Sequence, residues 1–142
     1  MEMNELAEEI FKQAISHQLD DIHLLPIGEE YVFYLRDING LKELRKVSTK
    51  IAEQFISYLK YQAGMDVGER RRPQSGSLTF EFSVHQIIEL RLSIITNFKQ
   101  KESMVIRLLH RSKKENTSIQ ATTYFQKDWR LLERFLRYKS GL

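Results

Sequence analysis

The chain has 142 residues, 42% of them hydrophobic, with a formal net charge of +3 and no cysteine. This length suits one domain with a small appendage, and the missing cysteine excludes disulfides and thiolate metal sites. No apolar run approaches the roughly 20 residues that span a bilayer, and the acidic start Met1-Glu2-Met3-Asn4-Glu5 does not resemble a signal peptide, so a soluble cytoplasmic protein is expected.

The charge is unevenly spread. Residues 1–30 hold eight acids against Lys12 alone, a net of −7, which leaves +10 on the remainder. Such asymmetry fits a polar partner or a phosphate facing the basic part; a solvated face on each side fits equally well.

In chain order, Leu6, Ile10, Phe11, Ala14 and Ile15 recur at helical spacing, and Asn4 is placed to cap that helix. Ile22 to Pro26 reads as a short strand, Gly28-Glu29 as a turn and Tyr31 to Leu35 as a strand rich in aromatic and β-branched residues. Asn39-Gly40 predicts a tight hairpin with both residues at positive φ, followed by a returning strand over Leu41 to Val47. Ser48 is the expected cap of a second helix with Ile51, Phe55, Tyr58, Leu59 and Gln62 as its stripe, closed by Gly64 in the left-handed region. Met65 to Gly76 reads as a loop.

Leu78 to Val84 and Ile88 to Ile94 then alternate with the period of two of half-buried antiparallel strands, and Met104 to His110 forms a third. Arg111 to Gln120 is polar and basic, as in a linker. Phe125, Trp129, Leu132 and Leu136 make one apolar face of a helix over about 124–138. That face is wide for a terminal helix, so it is expected either to fold back on its own sheet or to dock on another copy of the chain, the second favoured. Strand runs with segregated helices predict an α+β fold, an antiparallel sheet with helices packed on one face.

Two arginines stand out. If the hairpin from Ile87 to His110 is centred near Lys99, Arg91 lies opposite Arg107. Like charges at that spacing cost stability, and a phosphate would relieve them through guanidinium forks. Each can instead pair with a local acid such as Glu81, Glu89 or Glu102. Arg70-Arg71-Arg72 admits the same two readings, anion binding or simple solvation. His17, His23, His85 and His110 share no metal-ligand spacing, so no metal site is expected. The chain has no phosphate-cradling glycine loop, no recognisable nucleophile setting and no arguable carboxylate pair, so no catalytic residue is assigned.

Asp21-Ile22-His23, ending at Pro26, is similar to the pattern S-D-I-H-x-E-P. Met65-Asp66-Val67-Gly68-Glu69-Arg70-Arg71, then Pro73-Gln74 and Gly76, is similar to M-D-I-A-E-R-R-x-P-Q-D-G. Arg91-Leu92-Ser93 matches R-x-S, and Val105 to Leu109 matches V-x-R-L-L. These segments, in this order, resemble the region that precedes the motor in the type II secretion and type IV pilus traffic ATPases. The chain departs at Asp20, Leu25, Asn39, Ser75, Ser77 and Lys101 but keeps Arg91 and Arg107. The short N-terminus most resembles the competence pseudopilus ATPases of Gram-positive bacteria.

The resemblance implies a PAS-like N-terminal domain over residues 1–112, a linker over 113–123, and a helix over 124–142 leading into a RecA-like motor that begins beyond Leu142. It implies that Arg91 and Arg107 reach the phosphates of ATP held by that motor. It implies that Glu69, Arg70, Arg71, Pro73 and Gln74 face a domain or subunit interface. Arginine supplied to a phosphoryl group in this way is worth roughly 10³–10⁵ in rate. The implied parent is a hexameric ATPase using ATP and Mg²⁺, working with an inner-membrane platform protein at the cytoplasmic membrane to assemble a pseudopilus for DNA uptake. No direct nucleic-acid contact is expected of this region.

The competing reading is an independent basic module that binds nucleic acid or a small ligand. A Walker A sequence soon after Leu142 in the reading frame separates the two. Having no phosphate loop, the 142-residue chain is expected neither to hydrolyse ATP nor to bind it tightly. Calorimetric titration with Mg-ATP checks this; sub-micromolar affinity contradicts it.

Overall fold

A computed structural model describes residues 2–109. His110, the expected 113–123 linker and the expected helix over 124–142 lie outside the described residues. Among the described residues the order is α1 (Met3–Ser16), β1 (Asp21–Ile27), β2 (Glu30–Asp37), β3 (Gly40–Ser48), α2 (Thr49–Gln62), β4 (Gln74–Glu81), β5 (Ile87–Thr96) and β6 (Glu102–Leu109). The strands form one antiparallel sheet in the order β3-β2-β1-β6-β5-β4, with two helices packed on it. The expected α+β class therefore holds. Helix α2 carries the chain from one sheet edge, β3, to the other, β4.

Register sorts the side chains into two faces. Leu24 stands opposite Phe33 on one side and Met104 on the other, and Ile22 stands between Leu35 and Ile106. All six are buried. The Phe33 ring meets Phe55 of α2 edge-on, with centroids 5.1 Å apart, so this is the helix face. Leu6, Ile10, Phe11 and Ala14 of α1 and Ala52, Ile56 and Leu59 of α2 complete the core. The adjacent rows, Arg36–Asp21–Arg107 and Tyr34–His23–Val105, point to the outer face, because successive strand residues alternate sides.

Several local expectations are corrected. Asn4 does not cap α1; the helix starts at Met3, Glu2 occupies the cap without a side-chain bond, and Asn4 Oδ1 accepts a 2.9 Å hydrogen bond from Tyr58 of α2. The buried stripe of α2 is Ala52, Phe55, Ile56, Leu59 and Lys60; Gln62 is exposed and Ile51 and Tyr58 are half-buried. In the β2–β3 turn only Gly40 takes positive φ, at +119°, so the loop is Ile38-Asn39 and the glycine follows it. The Asp37 carboxylate, accepting from Asn39 N–H at 2.7 Å, holds that turn. Strand β4 begins at Gln74, inside the expected loop, and Val84 is an exposed turn residue.

Other expectations hold. Ser48 Oγ accepts from Ile51 N–H at 3.1 Å. Gly64 at φ +71° closes α2: its N–H reaches Tyr61 O at 3.2 Å, and Met65 N–H reaches Lys60 O at 2.8 Å. These are the two bonds of a Schellman end.

The far part of the β4–β5 hairpin, Thr79–Glu89, groups apart from the unit made by the residues up to Leu78 and Leu90–Leu109. Within it, the Phe80 and Phe82 rings meet edge-on at 5.2 Å, and His85, at φ +68°, lies 3.3 Å from Glu81.

Helix α1 closes in the same way as α2 but without glycine. Gln18 takes φ +59°, donating to Ile15 O at 2.9 Å, and Leu19 donates to Ala14 O at 3.0 Å. A side chain in the left-handed region is strained, so Gln18→Gly is expected to stabilise the chain by about 0.5–1 kcal/mol. Thermal unfolding followed by circular dichroism checks this; no change or a fall in Tm contradicts it.

Candidate functional site

Strands β5 and β6 bury their even-numbered residues, Leu90, Leu92 and Ile94 against Met104, Ile106 and Leu108. Arg91 and Arg107 are exposed, and both project on the opposite, outer face. The reversal between the strands is closed by Asn97 N–H to Lys101 O at 3.0 Å, and the Asn97 carboxamide oxygen also accepts from the N–H groups of Lys99 and Lys101. That closing pair is the rung expected of a hairpin centred near Lys99.

The two guanidiniums are not an isolated like-charge pair. Arg107 forks onto Asp21 of the neighbouring β1, with Nε to Oδ1 at 3.0 Å and Nη2 to Oδ2 at 3.3 Å. The Asp21 side chain is nearly buried and that of Arg107 is half exposed. This hydrogen-bonded pairing raises the Arg107 pKa above its ordinary value, against the opposing effect of burial, and the Asp21 and Asp20 charges add to the rise. Of the acids proposed from the sequence, Glu81 meets His85 and Glu102 meets Lys60. Arg91 makes no hydrogen bond or ion pair among the described residues. Any repulsion between the two is therefore relieved on one side by Asp21.

The second predicted group, Glu69, Arg70, Arg71, Pro73 and Gln74, lies on one loop between α2 and β4. The Gln74 carboxamide staples it: Oε1 accepts from Asp66 N–H at 3.1 Å, and Nε2 donates to Asp66 O at 3.0 Å and Glu69 O at 3.1 Å. The Glu69 carboxylate accepts from Arg71 N–H at 2.8 Å and Arg72 N–H at 3.2 Å. These bonds, the one from Arg71 foremost, lower its pKa. Gly76 lets the Met65 side chain lie close where the loop re-enters the sheet: a Cβ there would stand 2.9 Å from Cγ and Sδ of Met65, which would have to shift. Arg71 and Pro73 are exposed.

Beneath the loop is a group that the sequence reading missed. Lys60, 1% exposed, donates to Glu102 Oε2 at 2.6 Å and to Glu69 O at 3.0 Å. Arg70 Nε lies 3.8 Å from the other Glu102 oxygen, and its Nη2 lies 3.3 Å from Glu53. Thr96 Oγ1 donates to Arg70 O, tying the loop to the end of β5. Tyr31 O–H donates to Glu102 O at 2.8 Å, and burial pushes its pKa up to about 12. Arg70 is thus a structural brace as much as a surface cation. The signal was present: Lys60 follows Ala52 and Ile56 at four-residue spacing, and Glu102 shares parity with Met104, Ile106 and Leu108. A charge in phase with an apolar stripe is a charge aimed inward.

Among the described residues no group of three or more His, Asp or Glu is placed to hold a metal ion, and no helix is long and apolar enough to cross a membrane.

The family model described as type II/IV secretion system protein matches residues 2–142. The chain is 38% identical over 111 residues to the competence protein ComGA of Streptococcus pneumoniae, covering 76% of this chain and 34% of that protein. It is 28% identical over 140 residues to the competence protein ComGA of Bacillus subtilis, covering 99% and 38%. It is 30% identical over 99 residues to the type IV pilus assembly ATPase PilB of Pseudomonas aeruginosa, covering 70% and 17%. The chain spans about a third of the length of the two competence proteins.

Breaking the buried pair from one side leaves a desolvated charge. Lys60→Met is expected to destabilise the chain by about 3–5 kcal/mol, and Lys60→Met with Glu102→Leu by much less, because the double change leaves neither charge orphaned. Urea unfolding of both variants checks this. A single-site loss no greater than that of the double variant contradicts it.

Proposed function

The chain belongs to the type II/IV secretion system protein family, and from that premise we propose that it is the non-catalytic module preceding the motor of a competence traffic ATPase. Its role is to present Arg91 and Arg107 to the phosphates of ATP bound by a RecA-like motor. The observation that carries this reading is the placing of both arginines on one outer sheet face, Arg107 forked by Asp21 and Arg91 exposed. The names of the relatives, two competence proteins and a pilus assembly ATPase, support the process and the ATP requirement.

The residues present fit a phosphate contact. Asp21 occupies Nε and one proton of Nη2 on Arg107, which leaves Nη1 and the second Nη2 proton as donors. Arg91 retains all of its donors among the described residues. Two guanidiniums carried on the same face of neighbouring strands, β5 and β6, suit the charge that spreads over a transferring phosphoryl group. ATP and Mg²⁺ would be held by the motor; the chain's own contribution is charge delivered at a defined place. The loop of Glu69, Arg70, Arg71, Pro73 and Gln74 is the proposed contact with the motor or a neighbouring subunit. Its stapling by Gln74 and Glu69 gives it a defined backbone, and Arg71 and Pro73 are left outward. A homo-hexamer working in the cytoplasm against a membrane platform protein, driving pseudopilus assembly for DNA uptake, completes the proposal.

In a protein carrying the motor, Arg91→Ala and Arg107→Ala are each expected to cut ATP turnover at least about tenfold, the scale of a lost transition-state charge contact. Steady-state turnover checks this, and unchanged turnover in both variants overturns the reading. In the 142-residue chain the two differ. Arg91→Ala should be neutral, whereas Arg107→Ala should be destabilising, because it strips the partner from a nearly buried carboxylate. The sequence alone pointed to neutral or mildly stabilising effects for both.

A further inference from the structure

We propose that Asp21 is a positioning residue: its carboxylate sets the Arg107 guanidinium for anion contact. This rests on the phosphate-contact reading above. Asp21 and Arg107 are direct partners in the β1–β6 ladder, and the ladder continues past them through Leu108 N–H to Asp20 O at 2.9 Å. The carboxylate therefore stands on a backbone that is itself held on both sides of the pair. Both of its oxygens are engaged by one guanidinium, which fixes the plane of the fork as well as its distance. A single-oxygen contact would leave that plane free to turn.

Asp21 also stands in register with Arg36 of β2, so it has an arginine on each side. Arg36 is exposed and forms no ion pair among the described residues; the fork goes to Arg107. The outer row thus reads Arg107, Asp21, Arg36 across three neighbouring strands, with one carboxylate committed to one guanidinium, and Arg91 lies on the same face of the adjacent β5. Arg91 has no comparable brace among the described residues. The two phosphate-facing arginines differ in kind: Arg107 is pre-aimed and Arg91 is not.

Asp21 has two opposed effects on an anion, and these give the test its signature. Its charge repels phosphate, while its fork aims the cation that attracts phosphate. In a protein carrying the motor, Asp21→Asn keeps the shape, removes the repulsion and weakens the aim. Turnover is expected to fall about tenfold or more, as misplacement of a reacting contact does, while KM for ATP stays level or falls. The pair acts as a unit, so the Asp21→Asn, Arg107→Ala double variant should turn over no more slowly than Arg107→Ala alone.

In the 142-residue chain, the Arg107 Nε–H resonance should exchange slowly in the parent and rapidly in Asp21→Asn. Inorganic tripolyphosphate should shift the Arg91 and Arg107 side-chain resonances together only in the parent. Should Asp21→Asn not fold, Arg107→Lys decides: it keeps the charge and loses the fork, so positioning demands a loss like that of Arg107→Ala.

The outcomes separate. If Arg107→Ala loses turnover while Asp21→Asn or Arg107→Lys keeps the parent's, positioning is overturned and the phosphate reading stands. Additive losses in the double variant also overturn positioning, because they show Asp21 acting apart from Arg107. If neither Arg91→Ala nor Arg107→Ala changes turnover, the phosphate reading itself fails.

Discussion

The buried ion pair between Lys60 and Glu102 ties the remote parts of this fold together. Lys60 ends the buried stripe of α2, Glu102 opens β6, and their 2.6 Å contact joins elements 42 residues apart. Two charges removed from water are tolerated only where geometry and extra hydrogen bonds compensate for lost hydration. The Glu69 carbonyl accepts a further bond from Lys60, and the Arg70 guanidinium adds a second cation 3.8 Å from Glu102, both from the loop between α2 and β4. Tyr31 adds a bond to the Glu102 backbone from β2. Helix end, loop and strand start therefore share one polar centre, and none can shift without exposing or orphaning a charge. Replacing such a pair by apolar residues of similar volume is often neutral or stabilising, whereas removing one partner alone is costly.

That constraint reaches the outer face through β6. Glu102 anchors the strand, the burial of Met104, Ile106 and Leu108 settles which side faces the helices, and Arg107 must then point outward. A one-residue slip would bury the arginine and expose the apolar row, which is why the parity is firmly held. On the outer face the chemistry changes character. Arg107 is braced by Asp21, whereas Arg91 is not braced among the described residues. One sheet thus carries two kinds of polar group: a largely buried centre that locates the strand, and a solvent-facing row of arginines around Asp21.

The loop over 65–76 shows how a motif becomes readable once its contacts are known. Gln74 satisfies two carbonyls and one N–H of the loop, Glu69 satisfies two further N–H groups, and Gly76 leaves room for Met65. Three of its notable residue types are thus explained by backbone satisfaction and packing. What remains for recognition is the outward set, Arg71 and Pro73, with Arg70 divided between Glu53, Glu102 and solvent.

Periodicity alone determined the α+β class, the position of nearly every described strand, the Ser48 cap and the Gly64 helix end, because these depend on neighbours within a few residues. It also put Arg91 and Arg107 on one face, since parity in a hairpin follows from the alternation of apolar residues. The ordered motifs carried the family. Local signals failed where a distant partner competes. Asn4 lies inside α1 and accepts from Tyr58 instead of capping, and the α2 stripe includes Lys60, whose charge is met by Glu102. Which acid answers Arg107 was decided only by tertiary structure. Asp21 lies 86 residues away in sequence, and a strand order that inserts β6 beside β1 has no local signature. Electrostatic partners are chosen by the sheet's topology, and topology is settled by how the whole apolar surface is buried.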